Sequence, residues 1–161
     1  MNLSTHYRVY LSIIAAFVGT DTNFTSKEKG YSYLFGLNSS FISFETHPNQ
    51  MVGYKGVYST AAGRYMITYE SFKSVEGESF SPIDQDLIAI KLINKYDAIK
   101  ALEEDDIITF VRRLSEANCF ITSGSQSSFM EGRVHEIVDY YLKCKEMKQF
   151  SDFNLILHQN L

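Results

Sequence analysis

Apolar residues return at helical spacing through the first twenty positions of the chain. Tyr7, Tyr10, Leu11, Ile14, Phe17 and Val18 fall on one face, so the pattern predicts an amphipathic helix over 4–19 with a single buried stripe. Ser4 or Thr5 can cap its start, and Gly19 suits the left-handed residue that stops a helix. From 20 to 65 the period is lost and Gly, Ser, Thr and Asn become dense. Within that region "YSYLF" (31–35) and "FISFE" (41–45) alternate, which predicts two short strands of a minor sheet.

Helical periodicity then resumes in "FSPIDQDLIAIKLINKY" (80–96). Ser81 stands at the N-cap, Pro82 at the first helical position and Asp84 at the third, close to a capping box. Leu87, Ile88, Ile90, Leu92 and Ile93 cover much of the circumference, so this helix is predicted to be central and buried. "DDIITFVRRLSE" (105–116) reads as a helix capped by Asp105, with Ile107, Ile108, Val111 and Leu114 inward. "FMEGRVHEIVDYYLKCKEM" (129–147) carries a stripe of Met130, Val134, Ile137, Val138, Tyr141 and Leu142. A Gly/Ser loop, "TSGSQSS" (122–128), precedes it, and a tail at 150–161 with Leu155-Ile156-Leu157 at its centre is expected to dock. The predicted class is α+β, mainly α: one domain over 1–149 and a short tail.

The chain of 161 residues is long enough to bury a real core. Its net charge of −4 and the lack of any basic cluster beyond Arg112-Arg113 exclude a nucleic-acid binder. Cys119 and Cys144 stand in separate regions without a metal-ligand pattern. They read as two independent thiols, a single disulfide between late helices being the alternative. No metal or cofactor is implied. "VYLSIIAAFVG" (9–19) is apolar enough for the core of an export signal, but "GTDTNF" after it lacks a small-x-small cleavage site. The run is too short to span a bilayer.

Four stretches in order, "GTD" (19–21), "HPN" (47–49), "STAAGRYMITYESF" (59–72) and "FSPIDQDLIAI" (80–90), resemble the phage lambda lysozyme (endolysin) family. The resemblance spans about residues 7–145 and implies a lysozyme-like fold, with a cleft and a small β-containing subdomain. It also implies lytic transglycosylase chemistry on peptidoglycan. In that family a glutamate directly before a Gly-Thr pair protonates the glycosidic oxygen, then takes a proton from the sugar's own 6-hydroxyl. Such a shuttle needs a carboxyl whose pKa is raised toward neutrality. Here Gly19-Thr20 follows Val18, which has no proton to give.

The resemblance places further groups in the cleft: Val18, Thr20, Tyr31, His47, Arg64 and Tyr65, with Met66 where the family has a glutamine. Asn118 and Gln126 fall where it has a tryptophan and a tyrosine, and this chain contains no Trp. Stacking aromatics are what hold pyranose rings. The joint loss points to a catalytically degenerate protein that serves as a binding or structural module, with a protein partner. A first alternative is an active enzyme whose acid has moved to Asp21 or Glu45. A second is a wall binder that holds peptidoglycan without cutting it. By residue chemistry alone, Asp21 is a loop or cap aspartate, Glu45 a surface carboxylate, His47 a loop-fixing histidine and Arg64 a partner for Asp86. The resemblance further implies a protein of the bacterial cytoplasm, or one delivered to the periplasm through a separate pore.

Overall fold

A computed structural model describes residues 5–20, 30–117, 119–120 and 135–146. Helix α1 runs Thr5–Val18 and buries Tyr10, Leu11, Ile13, Ile14, Ala15, Phe17 and Val18, a wider stripe than the sequence predicts. It ends as its glycine requires. Gly19 sits at φ 89°, its N–H donates to the Ala16 carbonyl (3.2 Å), and the Thr20 N–H donates to that of Ala15 (3.0 Å). This is the paired-bond helix stop that a left-handed residue permits.

The sheet lies elsewhere than expected. Strands β1 (Val52–Tyr54) and β2 (Val57–Ser59) pair antiparallel with Val52 opposite Ser59 and Tyr54 opposite Val57. Lys55 and Gly56 join them at φ 48° and 79°, the double positive turn that matches strand twist. Residues 41–45 form no strand, and 31–35 contribute only isolated bridges, Tyr33 to Ser40 and Leu34 to Ala62. The alternation at 31–45 reflects burial of Ser32, Leu34, Phe35 and Phe41 in an irregular loop, not ladder pairing.

Helix α2 (Tyr69–Ser74) starts at Thr68, whose side chain accepts the Ser71 N–H. Neither it nor α4 (Ile99–Glu103) was expected, being six and five residues long, under two turns each. Helix α3 (Pro82–Lys95) has the predicted start, with the Ser81 hydroxyl accepting the Asp84 N–H. It is buried on one face through Gln85, Ile88, Ala89, Leu92 and Ile93, while Leu87 and Ile90 are only half-buried, so it is less central than its composition suggests. Helix α5 (Ile107–Ala117) is capped by Asp106, whose Oδ1 accepts the Thr109 N–H (3.0 Å), and not by Asp105. Its inward side is Ile107, Phe110, Val111 and Leu114; Ile108 is 50% exposed. Residues 135–146 are helical, within the predicted final helix.

Three of these helices stop on an acidic residue in the left-handed region. Glu76 (φ 55°), Asp97 (φ 56°) and Asp105 (φ 65°) follow α2, α3 and α4. At each, its own N–H and that of the next residue repeat the two backbone bonds found at Gly19 and Thr20.

The apolar faces meet in one core built from α1, the 61–67 turn, α3 and α5, with Ile137 and Tyr141 from the last helical segment. No disulfide joins Cys119 and Cys144, and burial pushes the Cys119 thiol up to about 12. No helix among the described residues is long and apolar enough to cross a membrane. Ser4, Met130, Val134, the 122–128 loop and the 150–161 tail lie outside the described residues.

Candidate functional site

The end of α1 meets the 62–67 turn. Ala62 and Ile67 exchange backbone bonds in both directions at 3.0 Å, and Gly63 turns the chain at φ 75°. A Cβ at Gly63 would lie 2.1 Å from Gln85 Oε1, so only glycine fits this approach. Gln85 has no exposed surface and is spoken for on every side. Its Oε1 accepts the Arg64 N–H (2.9 Å), and its Nε2 donates to the carbonyls of Tyr31 (3.0 Å) and Phe80 (2.9 Å). One side-chain amide thus ties α3, the turn and two loop segments together. In the sequence Gln85 stands out only as part of the motif that opens α3. Its spacing with Ile88, Ala89 and Leu92, at i, i+3, i+4 and i+7, was the signal that it faces the core.

Thr20 is buried against this turn, its hydroxyl within reach of the carbonyl oxygens of Ala15 (3.1 Å) and Arg64. Val18 is 1% exposed and Met66 not at all; both belong to the same core. Met66 adopts φ 48°, a conformation that costs a non-glycine residue roughly 1 kcal/mol or more, and the paired backbone around it holds it there.

Asp86, one residue on from Gln85, gathers phenols. Its Oδ1 accepts from Tyr65 (2.6 Å) and Tyr31 (2.8 Å). Burial, then the Asp86 carboxylate, pushes the Tyr31 hydroxyl up to about 12 and that of Tyr65 well above the ordinary phenol range. Neither phenol ionises near neutrality. The Arg64 guanidinium lies 5.5 Å over the Tyr31 ring, beside the phenols that Asp86 gathers.

His47 is buried among rings, 4.6 Å from Phe80, 5.4 Å from Phe72 and 5.7 Å from Tyr69. Its Nδ1 accepts the Asn49 N–H (3.0 Å), which leaves Nε2–H to donate to the Ile67 carbonyl (2.8 Å). Burial, only partly offset by that carbonyl and by Glu70, lowers its pKa. The ring is neutral with both nitrogens engaged, and it pins the 47–49 loop to the turn. Glu45 is exposed, its own N–H directed to the Ser43 hydroxyl (3.3 Å). Asp21, Asn118 and Gln126 lie outside the described residues. Among the described residues no group of His, Cys, Asp and Glu is arranged to hold a metal ion.

A family model described as Endolysin matches residues 8–144. The Endolysin of Escherichia phage P2 is 29% identical over 113 residues, covering 60% of this chain and 68% of that protein. Among solved structures, bacteriophage lambda lysozyme complexed with a chitohexasaccharide superposes with a TM-score of 0.74 at 22% identity, covering 90% of this chain and 97% of that one. A second structure, the lysozyme from bacteriophage lambda, gives 0.71 at 22% identity over 89% and 96%. The expected fold class, α+β and mainly α with a lysozyme-like arrangement, is borne out.

Proposed function

This chain belongs to the Endolysin family, and from that premise we propose that it has lost glycan cleavage and acts as a non-cleaving binding or structural module. The observation that carries the reading is Val18. It stands directly before Gly19-Thr20, where the family resemblance places the acid, and its side chain is sealed in the core. A hydrocarbon neither gives nor takes a proton, so the step that protonates the glycosidic oxygen has no agent there.

Among the described residues, the groups nearby do not substitute for it. His47 is neutral with both nitrogens occupied, the phenols of Tyr31 and Tyr65 are held protonated, and Glu45 stands in solvent instead of an apolar pocket. Met66 presents no exposed surface and no amide to a sugar. What persists is the scaffold around Gly63, Gln85 and Asp86.

Incubation of the purified protein with peptidoglycan tests the reading. Mass spectrometry of the digest should show no 1,6-anhydro-muropeptides, and a product ladder above the protein-free control overturns the proposal. Co-sedimentation with insoluble peptidoglycan then separates a wall-directed module, which pellets, from a protein-directed one, which stays in solution.

A further inference from the structure

We propose that Asp105 is a clasp that holds the helical segment 135–146 against α1, and that this segment opens as a unit when the clasp is lost. Asp105 is carried at φ 65° on the stop of α4, where glycine is the unstrained choice. The carboxylate explains why glycine is absent. Its Oδ1 accepts the Tyr141 hydroxyl and, at 3.4 Å, the Tyr10 hydroxyl; its Oδ2 receives the Lys145 ammonium; His6 Nδ1 stands 3.9 Å away. His6 Nε2 meanwhile reaches the Leu102 carbonyl. Two residues of α1 and two of the last segment thus converge on one side chain between α4 and α5.

Among residues 135–146 only Ile137 and Tyr141 are fully buried, a single i, i+4 pair. So small an apolar footprint gives a low local opening free energy, to which charge-assisted bonds then contribute a large share. The Tyr10 and Tyr141 rings pack edge to face at 5.7 Å within the clasp. Two turns nearer the end of α1, Phe17 and Tyr140 make a second edge contact at 6.3 Å. Between the helices runs a groove of about 360 Å³ lined by Ala16, Phe17, Glu136, Asp139, Tyr140 and Lys143. The clasp therefore sets, from the far end of α1, the wall beside Ala16 and Phe17.

Hydrogen exchange of the full chain at fixed pH tests this. Asp105→Asn keeps the left-handed turn accessible but removes the charge; it should speed exchange across 135–146 by roughly tenfold and leave α3 unchanged. Lys145→Met should act in the same direction with a smaller effect, and Asp97→Asn, the same substitution at an acidic helix stop that carries no such bonds to the last segment, should leave 135–146 as it is. An even rise of exchange across all helices in Asp105→Asn, or no change in 135–146, overturns the proposal.

Discussion

The two ends of α1 are opposites. Its C-terminal end is apolar, neutral and closed: Val18 at 1% exposure, Gly19 completing the helix stop and Thr20 turned inward between two carbonyls. Its N-terminal end is half-exposed and ionic, with His6, Tyr7 and Tyr10 reaching Leu102, Glu103 and Asp105. On the reading proposed above, a glycan-cleaving relative would carry its ionisable group at the first of these ends. Here carboxylates serve the second, where they join elements. The difference teaches that the two ends of one helix can be assigned to different work, since the Gly-Thr stop needs nothing from the side chain of the residue before it.

Val18→Glu breaks the contrast most severely. A carboxyl in a site of 1% exposure costs on the order of several kcal/mol, paid mostly by ionisation. Burial raises the folded-state pKa of the new Glu above its unfolded value. The unfolded chain then ionises first, and the penalty grows as pH rises from about 4.3 toward neutrality. Denaturant midpoints should fall steeply at pH 7 and less at pH 4.5. Peptidoglycan cleavage should stay absent, because Met66 and the closed core around it remain. Lysis at undiminished stability would show that the apolar end is only one substitution from activity.

Gly63→Ala strikes next, on the neighbouring turn. Its methyl would fall 2.1 Å from Gln85 Oε1, at a φ of 75°. Gln85 must move, exposing the Arg64 N–H and the Tyr31 and Phe80 carbonyls to loss of their partners. The expected loss is about 3 kcal/mol in equilibrium unfolding, combining backbone strain with unmade buried bonds. A change under about 1 kcal/mol would mean that the amide clamp is not what fixes this end of the site.

These two positions also measure what the chain discloses in advance. The helix stop at Gly19 and the start at Ser81-Pro82 were legible because each rests on bonds within five residues. The hairpin at 52–59 was passed over for two alternating stretches nearby. Alternation reports which side chains are buried, whereas a strand needs a partner, and here Lys55-Gly56 supplied the turn signal. Asp105 was read as a cap because it precedes a helix; Asp106 does that work, and the one-residue shift frees Asp105 for Tyr141 and Lys145, 36 and 40 positions away. The site was legible to the extent that a resemblance supplied its register. His47 was already readable as a loop-fixing histidine, whereas the task of Gln85 became visible only once the turn it holds was in place.

His47 sharpens the comparison in pH. Its folded pKa lies below the ordinary histidine value, so the unfolded chain binds the proton more tightly. Its contribution to stability is whole above about pH 6.5 and falls as the pH is lowered through the folded-state value, since a protonated ring cannot accept the Asn49 N–H. Unfolding free energies should therefore decline as the pH is lowered from 7 to 5. His47→Gln, weaker at neutrality, should flatten that limb; an unchanged slope would assign the decline to other groups.

The smallest effect has the most informative sign. Asp97 stops α3 at φ 56° with the same pair of backbone bonds that Asp105 makes after α4. A carboxylate there sits in a conformation that favours glycine and against the negative end of the helix dipole. Asp97→Gly should thus gain about 0.5 kcal/mol, the relief of strain and repulsion exceeding the added freedom of the unfolded chain. Asp105→Gly receives the same backbone relief yet gives up Tyr10, Tyr141 and Lys145, so its stability should fall. Thermal unfolding of the two variants side by side reads the sign directly. Equal gains at both positions would mean that the ionic end of α1 stabilises nothing and that the acidic stops are interchangeable.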